Sequence, residues 1–265
     1  MTIELNVFTY DFERVGTIEN YVNLKIERNY YARSVLQLTV EGTDEMVGLL
    51  QKYRVLTTTT NINYGYIITG FNYIDAESEN LTVYAFSMNH LFDWRTIMRQ
   101  ERYSGNVETV IKRFIANQCI TTSANRVIPH LVLAANSGID ATTDTSATGK
   151  NLEEFTWSYC EKHEMTVDVL MNHQTKRYEV YTWQGEDRSE QATTNAIKFS
   201  KEFENVGNIE FVYDESNYKT TAIVAGEGEG VARQTVTVND SVSGLNRKEI
   251  FVDARDVQST YYDEN

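Results

Sequence analysis

Cys160, His163 and Glu164 stand at i, i+3 and i+4. One turn of helix would bring the thiol and the imidazole onto one face, and both are zinc-binding groups. A zinc site takes three or four ligands, and no second Cys or His pair stands at ligand spacing. His163 on the apolar side of a helix is then a packed core residue, and His90, His130 and His173 stand alone. Paired acids are the second source of chemistry. Glu153 and Glu154, Asp140 and Asp144, or Glu186 and Asp187 could act as acid and base on a glycosidic bond if folding sets them about 5 to 9.5 Å apart. With 38 acidic residues in the chain such pairs arise by chance, and solvated surface is the expected place for them. Neither a Gly-x-Ser-x-Gly elbow nor a His-Glu-x-x-His helix is present. Lys150 follows Gly149, but Asn151 stands where a phosphate loop needs Ser or Thr. No catalytic, metal-binding or cofactor-binding residues are expected, and no cofactor.

The most unusual spacing lies late in the chain, at Ala225-Gly226-Glu227-Gly228-Glu229-Gly230. Glycine at every second position frees the backbone for φ > 0 or for close approach to another surface. A dinucleotide-binding loop would need a third glycine three residues after the second and a helix to follow. Here Gln234-Thr235-Val236-Thr237-Val238 follows with strand alternation, and Glu227 and Glu229 would repel a pyrophosphate.

The elements that must position these residues are mostly strands. The chain has 265 residues, enough for one large or two to three small domains, and is 41% hydrophobic. Its 17 Tyr, 11 Phe and 3 Trp, set among many Thr and Val, favour pleated structure. Six strands are expected between Ile3 and Phe86, with one short helix over Thr43 to Lys52. Asn106 is placed to cap a helix with Val107, Val110, Ile111, Phe114 and Ile115 on one face. After a loose Thr/Ala/Ser-rich loop from Ala134 to Gly149, a second helix is expected from Asn151 to Lys162, then a hairpin of Met165–Met171 with Arg177–Trp183. Strands resume at Ile197–Phe199 and Asn208–Tyr213, and alternation continues to Thr260-Tyr261-Tyr262. The last strand either closes a domain or continues into a longer protein.

Net charge is −14 at pH 7, which opposes direct binding to nucleic acid or anionic membrane, since both need a basic footprint. No stretch approaches the ~20 apolar residues of a membrane span, and Met1-Thr2-Ile3-Glu4-Leu5 lacks the pattern of a secretion signal. Two cysteines, Cys119 and Cys160, fit a reducing compartment and a cytosolic origin. Pro129 is the single proline, where average usage would give about thirteen. With proline absent from the strands, edges must be covered, charged or paired with a neighbouring subunit. Tyrosine clusters such as Asn29-Tyr30-Tyr31 and Tyr64-Gly65-Tyr66 are read as core or subunit contacts before sugar-stacking surfaces.

The strand Tyr218–Ala225, the Gly-Glu-Gly-Glu-Gly bend, a second strand and the run Val252-Asp253-Ala254-Arg255-Asp256 together resemble the tail hub, or baseplate hub, proteins of siphophages and related prophages. The residues that carry the resemblance are Gly226, Glu227, Gly228, Glu229, Gly230, Asp253, Arg255 and Asp256. It implies an α+β, mainly β chain: a tube-like β-barrel or sandwich domain at 1–100, a small α+β insert at 101–195 and a second tube-like domain at 196–265. It also implies a homotrimeric ring in the tail tip of the virion, assembled in the host bacterial cytoplasm. Such a ring closes or extends the tail tube and contacts tail-tube, distal-tail, tape-measure or tip proteins, and DNA passes without specific binding. An acidic lumen suits that passage. The alternatives are a cell-wall glycosidase using one of the acid pairs, and a carbohydrate-binding β module presenting tyrosines.

Overall fold

The computed structural model describes residues 3–74, 79–186, 188–189, 196–207, 210–226, 228, 230 and 233–254. The chain is mainly β, as the strand-favouring composition predicts, and divides into two compact units, Met1–Arg188 and Ser189–Asn265.

The first unit begins with β1 (Leu5–Phe8), β2 (Arg14–Ile18), β3 (Asn23–Glu27), β4 (Val35–Glu41), α1 (Asp44–Leu49), β5 (Val55–Thr58), β6 (Asn61–Ile74) and β7 (Asn80–Ser87). The strands make one antiparallel sheet in the order β2-β1-β5-β6-β7-β4-β3. Alternation sets its inner face. Leu36, Leu38 and Val40 of β4 stand opposite Ala85, Val83 and Leu81 of β7, and all six are buried. Leu5 and Val7 join the same cluster although β5, β6 and β7 lie between β1 and β4, so the sheet curls around this core. Burying each of the larger aliphatic side chains stabilises the fold by about 1.5–3 kcal/mol relative to exposure.

The opposite face carries Phe8, Val55 and Ile67, which pack into a second core with a short 3-10 turn, Met88–Phe92, and the elements that follow. These are β8 (Glu101–Asn106), α2 (Val107–Cys119), β9 (Leu131–Leu133), β10 (Thr142–Ala147), α3 (Leu152–Lys162), β11 (Thr166–Asn172) and β12 (Arg177–Trp183). Both helices start on an asparagine cap. Asn106 Oδ1 accepts from the N–H groups of Glu108 and Thr109 at 3.0 and 3.3 Å, and Asn151 Oδ1 from those of Glu153 and Glu154 at 2.9 and 3.2 Å. The α2 face predicted from periodicity, Val107, Val110, Ile111, Phe114 and Ile115, is wholly or almost wholly buried.

Two expectations are corrected. The segment 134–149 is not loose: its second half is β10, paired residue for residue with β8, and its first half is fastened to α2. Of the expected strands Ile197–Phe199 and Asn208–Tyr213, residues 197–199 and 210–213 lie outside any strand and 208–209 fall outside the described residues; strand-favouring residue types are not enough without a neighbouring edge to pair with, and Phe199, Phe211, Val212 and Tyr213 are exposed. In the second unit β13 (Thr221–Ala225) pairs antiparallel with β14 (Thr235–Val238) and parallel with β15 (Glu249–Asp253). Among the described residues no helix is long and apolar enough to cross a membrane.

Candidate functional site

The glycine-rich bend follows β13. Gly226 N–H donates to Gln234 O at 3.0 Å and closes the β13–β14 ladder. Beyond it Gly228 has φ +113° and Gly230 φ +56°, the left-handed region where a side chain is strained, so at these two positions the glycine has a conformational reason. Arg233, which the sequence pattern did not single out, holds the bend together. Its guanidinium donates to Gly226 O at 2.9 Å and to Ala225 O at 3.0 Å, and it pairs with the Asp253 carboxylate on β15. Ala254 N–H adds a bond to Ala225 O at 2.8 Å. Of the eight signature residues, Gly226, Gly228, Gly230 and Asp253 are thus placed, with Arg233 linking Gly226 directly to Asp253; Glu227, Glu229, Arg255 and Asp256 lie outside the described residues. An arginine four residues after the last glycine-flanked acid would have to be read across strands to be found, since its partner is 20 residues away.

The helical zinc pattern dissolves at the end of α3. The helix stops at Lys162, and Glu164 has φ +52°, so its carboxylate does not follow the i+4 path. Cys160 is fully buried and burial pushes its thiol up to about 12, which leaves an inert apolar side chain. Burial, then Lys162, lowers the basicity of His163, whose ring lies 4.5 Å from that of Tyr159.

One acid of each named pair is taken by an arginine: Asp144, Glu186 and Glu153. Asp144 is bound by Arg102 at 2.6 Å across β8 and β10, and this arginine keeps its carboxyl below the ordinary range. Glu186 pairs with Arg188 at 3.0 Å, and Asp187 lies outside the described residues. Glu154 is exposed whereas Glu153 is buried. Tyr64 and Tyr66 are also buried, Tyr64 sharing a 3.0 Å hydrogen bond with Ser34, which removes them from any sugar-binding surface.

Glu153 and His90, taken in sequence as a solvated acid and an isolated imidazole, instead meet. Arg33, in the loop between β3 and β4, places Nη1 at 2.8 Å from His90 Nδ1 and 3.1 Å from Glu153 Oε2. His90 Nδ1 is 3.7 Å from Glu153 Oε2 and 3.9 Å from Asp93 Oδ2. Arg33 also stacks 4.3 Å above the Phe86 ring. Since an arginine only donates, Nδ1 is the acceptor in its contact with Arg33. Glu153 lies three residues before buried Thr156 on α3, a flank position that hinted at burial.

A second buried ionic group fastens the 134–141 segment. Glu108, in the first turn of α2, accepts N–H groups of Ser137, Gly138 and Ile139 at 2.7 to 2.8 Å together with the hydroxyls of Ser137 and Thr182. Burial alone would raise its pKa, but the donors from Thr182, Ser137, Ile139 and Gly138 outweigh that and bring it to about 2. One turn on, Lys112 Nζ donates to Ala134 O, Ala135 O and Asn136 Oδ1 at 3.1, 2.9 and 3.1 Å.

Residues 4–265 match a family model described as Siphovirus ReqiPepy6 Gp37-like protein. The fold is similar to that of a tail protein from Neisseria meningitidis MC58, at 12% identity and TM-score 0.55 over 96% of this chain and 72% of that one. A 43 kDa tail protein of prophage MuSo2 from Shewanella oneidensis is similar at 6% identity and TM-score 0.55, over 96% and 74%. Prophage tail protein gp18 from Listeria monocytogenes EGD-e is similar at 10% identity and TM-score 0.52, over 95% and 73%. Identities this low carry the fold alone. No curated protein matches the chain.

Proposed function

The chain belongs to the siphovirus ReqiPepy6 Gp37-like protein family, and from that premise we propose that it is a non-enzymatic structural component of a phage or prophage tail. In this reading it forms a homotrimeric hub at the tail tip, which closes or extends the tail tube and joins it to the host-contact apparatus. Residues 1–100 and 196–265 are its tube-like β parts and residues 101–195 the α+β insert. Its partners are further copies of itself and neighbouring tail-tube, distal-tail, tape-measure or tip proteins.

The observation that carries the reading is the state of the second unit. Its sheet buries Thr221 and Ala225, yet Val236 and Val238 of β14 and every residue of β15, including Ile250, Phe251 and Val252, are exposed. Successive residues of a strand face opposite sides, so β15 offers apolar groups on both. Three short strands do not pay for that much wetted apolar surface by themselves, and such surface belongs in contacts with other chains. Of the named acids, Glu153 is buried while Glu154 is exposed, and Asp144 is held by Arg102, which gives a glycosidase no comparable support.

Gold-labelled antibody against the chain, applied to intact virions, is expected to decorate the far end of the tail. Label confined to the capsid, or virions that carry none of the chain, would overturn the proposal.

A further inference from the structure

We propose that His90, Asp93 and Glu153 form a binding site for a divalent transition-metal ion of the zinc class, and that Arg33 is the side chain that keeps the place in its absence. The site is independent of how the chain assembles.

The ligand atoms are already gathered. His90 Nδ1, Asp93 Oδ2 and a Glu153 oxygen all lie within 4.8 Å of one another, with His90 Nδ1 at 3.7 Å from Glu153 and 3.9 Å from Asp93. Ligands held ~2.1 Å from a tetrahedral zinc stand roughly 3.4 Å apart, so closure by a few tenths of an ångström at His90 and by at most about 1.4 Å between the two carboxylates completes the geometry. One imidazole and two carboxylates suit zinc and its neighbours, with water in the fourth position.

A positive centre stands there now. Arg33 Nη1 touches both His90 Nδ1 and Glu153 Oε2, so the imidazole edge that carries Nδ1 is turned inward toward the two carboxylates. This guanidinium does not satisfy the anion fully. The Glu153 side chain is only 6% exposed, and its Oε1 has no hydrogen-bond partner among the described residues. A buried carboxylate oxygen without a partner is costly, and an ion of twice the charge relieves it better than one arginine nitrogen does. Asp93 is aimed from outside: Asn151 Nδ2 donates to its Oδ1 at 3.0 Å, which leaves Oδ2 for the site, the kind of outer support that orients metal ligands. Arg33 is free to leave, because its side chain is 36% exposed and comes from a loop.

The test is zinc uptake by the full chain, followed by calorimetry, with cobalt absorption reporting the coordination. Wild type is expected to take one ion per chain, and Arg33→Ala to bind about tenfold tighter because the resident cation no longer competes. His90→Gln and Asp93→Asn should each lose the site; Asp93 is partly exposed, so Asp93→Asn keeps the test open should His90→Gln fail to fold. No stoichiometric uptake by wild type or Arg33→Ala, or uptake unchanged in Asp93→Asn, overturns the metal site. Equal affinities of wild type and Arg33→Ala overturn the role given to Arg33.

Discussion

Glu108 and Lys112, one turn apart on α2, hold the same segment by opposite chemistry: the carboxylate takes the main-chain N–H groups of residues 137–139, and the ammonium takes the carbonyls of residues 134 and 135. Both side chains are almost wholly buried, so a stretch rich in small polar residues becomes part of the fold rather than a free loop.

Replacing Glu108 by Ala strands three part-buried N–H groups and the buried Thr182 hydroxyl without their acceptor. Urea unfolding is expected to show a loss of ~3–5 kcal/mol, the scale for breaking a buried charged network. A loss under 1 kcal/mol would mean that water or another donor set replaces the carboxylate.

The same carboxylate sets a pH dependence. Its pKa is about 2 in the folded protein against an ordinary 4.5, so its stabilising contribution is fully present above 4.5 and is lost as pH falls toward 2. Thermal melts across that window should show wild type losing Tm more steeply than Glu108→Gln. Parallel curves would contradict the depressed pKa.

Phe114 is fully buried and packs edge-on against Tyr103 and Phe155, with ring centroids 4.9 and 4.7 Å away. Phe114→Ala is expected to cost ~3–5 kcal/mol through lost burial and a cavity. Chemical denaturation measures it, and a cost below 1 kcal/mol would refute its place in the core.

Gly228 at φ +113° is the position where the bend rejects a branched side chain. Gly228→Val should weaken the Arg233 links to Ala225 and Gly226 and lower melting or assembly. Melting and assembly identical to wild type would remove its special role.

The helices and the main sheet were legible because their signals are local. Asn106 caps where it is expected to, α3 starts at the expected Asn151, and the stretches expected as strands at Ser34–Val40 and Asn80–Phe86 are β4 and β7. What was not legible depends on distant partners. β10 is polar and mostly exposed along its length, and only its pairing with β8, supported by Arg102 and Asp144, makes it a strand. Residues 210–213, Glu-Phe-Val-Tyr, are strand-favouring in type but lie outside any strand. Glu153 meets Arg33 across 120 residues of sequence, and no spacing rule spans that distance. In the glycine-rich bend the φ > 0 argument identified Gly228 and Gly230, while Arg233, the residue that ties the bend to Asp253, carries no pattern of its own.

The central proposal is that this chain is a trimeric tail hub, and the most direct test is its solution mass by light scattering across a concentration series. The expected result is a species near three times the 30.5 kDa chain mass that gains population with concentration. A strict monomer at every concentration, alone and with purified tail-tube protein, would contradict it.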